Sequence, residues 1–216
     1  MTRRAILVGA TGLVGKRVLA ALLEDPAWGA VWALVRRPLE VRHPKLTVRV
    51  VDFDRLGEVR FPHVDDVFCS VGTTIRAAGS QAAFRRVDFD YPLGVARAAL
   101  ARDARQFLFV SAMGANSGSP VFYNRVKGEL EQAIGKLRYR SAFAFRPSFL
   151  AGDRPESRPG ERFALAVLQP LRFLVPRKYQ PVSDLAVAHA MLAYAKRGLT
   201  GFHVIESDAI QALAAP

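Results

Sequence analysis

Three residues have types and spacing suited to proton transfer at a carbonyl. Ser111 closes an apolar run, "QFLFVS". Tyr123 and Lys127 follow at i and i+4 in "YNRVK", which makes them neighbours on one helix face. A free phenol titrates near ~10, too high for an efficient acid or base at neutral pH, and a nearby ammonium favours the phenolate. Tyr123 is therefore the candidate acid/base. Lys127 would lower its pKa and hold a ribose, and Ser111 would donate a hydrogen bond to the substrate oxygen. Each residue alone is ordinary. The three gain meaning only if other elements bring a redox cofactor to them.

The positioning elements are legible as alternation. "RAILVGA", "AVWALVRRP", "LTVRVVDF", "DVFCSVG", "QFLFVSA" and "SAFAFRP" read as strands, and "GFHVIES" as a last one. Between them, apolar residues recur at helical spacing over Leu13–Leu23, 80–101 and Val121–Leu137. Further helices are expected at 161–174 and 183–197, with a short tail helix in "DAIQALAA". Pro92 threatens a break in the second of these stretches. Continuous apolar strands separated by helices indicate βαβ units and a sheet covered on both faces. The expected fold is α/β: a doubly wound, mostly parallel Rossmann sheet in a single domain over 1–216. Residues 152–180, rich in Pro and Arg at their start, form a small C-terminal cap on the substrate side. That stretch reads as a roof over the pocket, a partner or dimer surface, or a membrane-surface helix that Pro170 and Pro176 interrupt.

The first strand-to-helix junction, "ILVGATGLVG", carries Gly9, Gly12 and Gly15. Glycines there permit a tight turn and close approach to a pyrophosphate, and the helix start offers free N–H groups, with Thr11 and Leu13 as further donors. NAD binders end the second strand with an acid for the ribose diol. Here Arg36 and Arg37 stand in that place, and guanidinium groups pair with a 2′-phosphate, which favours NADP(H). Asp52 either meets the adenine edge or caps the following turn. Gly72 and Thr73, after the fourth strand, lie where the chain passes a cofactor.

Composition bounds the rest. The chain has 216 residues and a net charge of +12, which favours anionic partners, but its basic residues are scattered in pairs. Without a basic run, aromatic interleaving or finger spacing, nucleic acid is disfavoured. No metal-ligand spacing links the four histidines. The lone Cys69 reads as a small core residue. With no secretory signal and nothing near ~18 consecutive apolar residues, a cytoplasmic setting is expected. Contact with a membrane surface is not favoured, and an oligomer is compatible with the sequence.

The glycine loop, Ser111 and Tyr123-xxx-Lys127 resemble the short-chain dehydrogenase/reductase superfamily. More narrowly, "VDFDRL", "GTTIRAAGSQAAFRRVDFDY", "YNRVKGELE" and "FRPSFLAGDRPESRPGE" resemble its atypical branch, the Tat-interacting tumour-suppressor oxidoreductase family. The resemblance implies a Rossmann fold, NADP(H) and a Ser-Tyr-Lys site acting on a small-molecule substrate of unknown identity. It also implies that Pro147 and Ser148 contact the nicotinamide amide. Much of the superfamily completes a proton relay with an asparagine on the fourth helix, but the stretch here reads "RRVDFDYP", with Asp88. Two other functions stay open: an NADPH-sensing regulatory protein with little turnover, and a nucleotide-sugar epimerase or dehydratase.

Overall fold

Seven of the apolar runs become one sheet in which every neighbouring pair is parallel. The structure, a computed structural model, describes residues 2–151 and 176–213. The strands are β1 (Arg3–Val8), β2 (Trp28–Val35), β3 (Leu46–Val50), β4 (Asp66–Cys69), β5 (Gln106–Val110), β6 (Ser141–Arg146) and, after a short pair, β9 (Gly201–Glu206). Their order is β3-β2-β1-β4-β5-β6-β9. The chain turns to opposite sides of the sheet after β1, so β1 and β4 flank the switch point, where ligands bind in open α/β folds. The short pair is β7 (Leu150–Ala151) with β8 (Val182–Ser183).

Alternation along the strands builds two cores. Ala5 and Leu7 of β1 face one side with Val31, Ala33, Phe68, Leu108 and Phe143. Helices α1 (Leu13–Glu24) and α6 (Asp184–Ala195) cover that side with Val18, Leu22, Val187 and Met191. Ile6 and Val8 face the other side with Leu34, Val67, Cys69, Phe107 and Phe109. There α4 (Tyr91–Leu100) and α5 (Phe122–Gly135) supply Ala96, Ala99, Leu130 and Ile134. Strands buried on both faces are the continuous apolar runs of the sequence.

The 80–101 stretch differs from the expected helix. It comprises α3 (Gln81–Arg85), a π turn over Arg86–Asp90, and α4. Ahead of them lies a single turn, α2 (Ile75–Ala78), capped by the Thr74 hydroxyl. Pro92 causes no break because it falls in the first turn of α4, where a missing N–H is harmless. The irregularity lies just upstream, where Tyr91 N–H reaches back five residues to Arg86 C=O. Such π bulges often mark functional sites. The expected helix over 161–174, and the cap up to residue 175, lie outside the described residues. The tail helix is present as α7 (Ser207–Ala212).

One carboxylate at the opposite end of the sheet is fully buried. Asp66, which opens β4, accepts a hydrogen bond from Trp28 Nε1 at 2.8 Å and pairs with the Arg3 guanidinium. Burial pushes its carboxyl up to about 6, although Arg3 and Trp28 pull the other way.

Candidate active site

The loop between β1 and α1 is shaped for a group that approaches the backbone closely. Gly9 has φ +87°, and a methyl group on it would stand 2.7 Å from the Ser70 carbonyl carbon. A methyl group on Gly15 would stand 1.9 Å from Gly9 O. At this point the start of α1 and the chain leaving β1 approach each other backbone to backbone. Gly12 N–H closes the turn on Gly9 C=O at 3.0 Å, and no side chain caps the start of α1. The first-turn N–H groups are left for an anion. Thr11 and Gly12 are exposed and Leu13 half-buried beside them. Ser70, not singled out in the sequence, braces the loop by donating to Val8 C=O at 3.1 Å. These residues fit a dinucleotide pyrophosphate.

Next to the loop, at the ends of β2 and β3, a cleft of about 380 Å³ is lined by Arg36, Val50, Val51, Asp52, Phe53, Asp54 and Tyr91. Arg37 is exposed but does not line it. Asp52 lines the cleft, and of its two expected roles the structure shows the cap: its carboxylate accepts Asp54 N–H at 2.9 Å at the start of a 3-10 turn over Phe53–Glu58. Tyr91 O–H donates to Asp54 at 3.0 Å. Burial and that carboxylate hold its phenol above the usual range, although Arg86 and Arg36 pull it down.

Tyr123 lies in the first turn of α5, half-buried, with its ring 5.4 Å from that of Phe84. Lys127, one turn on, is buried, and its Nζ lies 2.8 Å from Asp88 Oδ1. Asp88 sits in the π turn, 1% exposed, and its second oxygen accepts Thr73 N–H at 2.8 Å. Burial, the largest influence, pulls the Lys127 ammonium down, but Asp88 together with Tyr123 and Cys69 more than offsets this and holds it above its ordinary value. Gly72 passes over the pair. A methyl group there would reach Asp88 Oδ1 at 3.4 Å and Lys127 Nζ at 3.9 Å. Thr73 thus gives its backbone N–H to Asp88, and Gly72 supplies the space above the ammonium. Asp88 stands at Lys127 where the resemblance calls for asparagine.

Ser111 follows a different course from the one expected. It is buried, and its hydroxyl donates to Glu131 Oε1 at 2.5 Å, so its proton is directed into the protein rather than toward a substrate oxygen. The reason is a carboxylate already fixed in place. Arg146, at the end of β6, donates to Glu131 through Nε at 2.9 Å and Nη2 at 2.6 Å, and to Glu206 at 3.1 Å. The loop after Ser111 is pressed on α5 at Gly128, where a methyl group would stand 2.2 Å from Ser117 N. Glu131 was missed in the sequence, yet a signal exists: Lys127 and Glu131 share the buried stripe of α5 with Val126, Leu130 and Ile134. Pro147 C=O accepts Met113 N–H at 3.1 Å, and Ser148 O–H donates to Gln180 C=O, tying the ends of β5 and β6 to the chain before β8. Among the described residues no group of three or more His, Cys, Asp or Glu could hold a metal ion.

Fold and loop define a nicotinamide-dinucleotide-binding Rossmann protein, and the comparisons agree. The family model described as NAD(P)H-binding matches residues 9–141. Protein HTATIP2 of Rattus norvegicus is 38% identical over 167 residues, 75% of this chain and 69% of that protein. Protein FMP52, mitochondrial, of Meyerozyma guilliermondii is 36% identical over 157 residues, 71% of this chain and 68% of that protein. The chain therefore belongs to the NAD(P)H-binding family, within the atypical short-chain dehydrogenase/reductase branch that includes HTATIP2. Solved structures share the fold. A short-chain dehydrogenase/reductase family oxidoreductase from Burkholderia thailandensis superposes with a TM-score of 0.68 at 19% identity, over 98% of this chain and 94% of that one. MoeE5 in complex with UDP-glucuronic acid and NAD gives 0.71 at 17%, over 94% of this chain and 75% of that one.

The relatives also correct the expectation of a cytoplasmic setting. Several fungal proteins similar to this chain are named mitochondrial, which points away from a purely cytoplasmic location. The expectation rested on a lone thiol and the lack of a secretory signal, and neither distinguishes one reducing compartment from another.

Proposed function

We propose that the protein is an NADP(H)-dependent oxidoreductase acting on a small carbonyl or alcohol, with Tyr123 as the acid/base. The observation that carries this reading is the buried Lys127 ammonium, one helical turn from Tyr123 and beneath Gly72 at the switch-point end of the sheet. Gly9, Gly12, Gly15 and the start of α1 would hold the pyrophosphate, and Arg36 the adenosine 2′-phosphate. When bound, the nicotinamide supplies or accepts the hydride. Tyr123 O–H gives its proton to the substrate oxygen as the carbonyl is reduced and regains one from solvent. The Lys127 charge favours the phenolate left behind. Ser111 acts from behind the site: its bond to Glu131 fixes the loop that ends β5.

The test has two arms. Tyr123→Phe is expected to abolish substrate-dependent NADPH oxidation across a panel of carbonyls and quinones while leaving the NADPH Kd within about twofold of wild type. Loss of NADPH binding in that variant would misplace Tyr123. For the cofactor, Arg36→Ala/Arg37→Ala is expected to weaken NADPH about tenfold or more with little effect on NADH. Equal wild-type affinity for the two cofactors would refute the arginine assignment.

One observation favours a second reading, a cofactor-sensing protein with little turnover. The Ser111 proton is taken by Glu131, which leaves the substrate oxygen one donor short. Tight NADPH binding with no turnover across the same panel would select it.

A further inference from the structure

We infer that Asp88 is a positioning residue whose carboxylate keeps Lys127 an ammonium inside a buried site. The inference rests on the reading of Tyr123 and Lys127 as the proton-transfer pair. Lys127 is 3% exposed along its side chain and Asp88 1%. An ammonium taken that far from water without a counterion releases its proton readily, and buried lysines can then titrate several units below their ordinary range. Among the described residues, the groups facing Lys127 are few. From the π turn comes Asp88 Oδ1 at 2.8 Å; from β5, Val110 C=O at 3.4 Å. The Cys69 thiol of β4 and Tyr123 of the lysine's own helix complete the set. Asp88 is the anion of closest approach, and its other oxygen is fixed by Thr73 N–H at 2.8 Å.

An asparagine at position 88 could still accept the Thr73 N–H, but it would bring no charge to the ammonium. The π turn is what sets residue 88 against α5, since it carries both Asp88 and the packing of its flanking helices on that element. The chemical consequence concerns Tyr123. Its phenolate is favoured only while the neighbouring lysine is charged, so the carboxylate acts on the reaction through Lys127.

The experiment follows the Lys127 13Cε signal by NMR against pH, in full-length protein labelled at lysine and assigned with Lys127→Met. It needs no substrate, so its outcome is independent of whether turnover is found. In wild type the signal is expected to stay in the ammonium form through pH 10. In Asp88→Asn its midpoint is expected to fall by roughly two units or more, and in Asp88→Glu to remain high. Asp88→Ala is the second variant should Asn prevent folding, and it carries the same expectation. A purely structural Asp88 would lower thermal stability in these variants and leave the midpoint in place, and that result overturns the inference. If turnover is found, the Asp88→Asn rate is further expected to fall as pH rises through the new midpoint.

Discussion

Replacing Asp66 by Asn sets ion-pair attraction against the loss of hydration. The carboxylate is fully buried, with Arg3 and Trp28 Nε1 as its partners. Its ordinary value of 3.8 is raised to about 6, burial being the largest cause. The folded state therefore holds this proton more tightly than the unfolded chain does. Asp66 contributes most to stability below pH 4, and that contribution is lost as pH rises from 3.8 to about 6. A separation of roughly two pH units corresponds to about 3 kcal/mol. Asn keeps an acceptor for Trp28 and does not titrate, while Arg3 retains Ala195 C=O at 2.8 Å. All other groups are common to both proteins. Urea denaturation of each protein between pH 4 and 7 is then expected to show wild type losing roughly 2–2.5 kcal/mol relative to Asp66→Asn, or roughly 4–10 °C in Tm. A difference that stays flat, or shifts in favour of wild type as pH rises, would show that the Arg3 ion pair outweighs burial and would refute the reasoning.

Three further outcomes are expected. Gly15→Ala forces a methyl group onto Gly9 O, so NADPH binding should be lost in fluorescence titration, with a stability cost of about 1–3 kcal/mol. Cys69 is buried, and its thiol is pushed up to about 11, so it should resist a thiol-specific disulfide reagent at pH 8 until denaturant is added; prompt modification of the folded protein would contradict its place in the core. Glu131→Ala strips Arg146 and Ser111 of their shared acceptor and should cost about 2–4 kcal/mol by denaturation, with Glu131→Gln losing less.

The fold was largely legible because strands buried on both faces write themselves as apolar runs, and because glycine at a strand-to-helix turn has few other uses. Gly9, Gly12 and Gly15 are a local pattern, and so is the four-residue step from Tyr123 to Lys127. Partner choice across the fold is not local. Asp88 meets Lys127 from within a π turn, and no propensity marks a widened turn. The same holds for Ser111, whose strand-end position suggested a substrate contact. Its hydroxyl instead follows a carboxylate anchored by Arg146 from another strand. Two charged residues on the apolar stripe of α5 were the readable warning that a buried polar network lay beneath.

The all-parallel pairing also governs how the chain can assemble as it is made. No neighbouring strands of the main sheet can close as a hairpin. Val8 has to wait for Cys69, and Arg146 for Glu206. At ribosomal speeds of about 5–20 residues per second, β1 stays without its β4 partner for several seconds. Even after β2 has paired with one edge of β1, the run Ala5–Val8 keeps its other edge free until β4 is made, the kind of sequence that joins other chains. A strand from the interior of the finished sheet is thus left with an open edge during synthesis, and a nascent chain halted before β4 would be a natural client for chaperones.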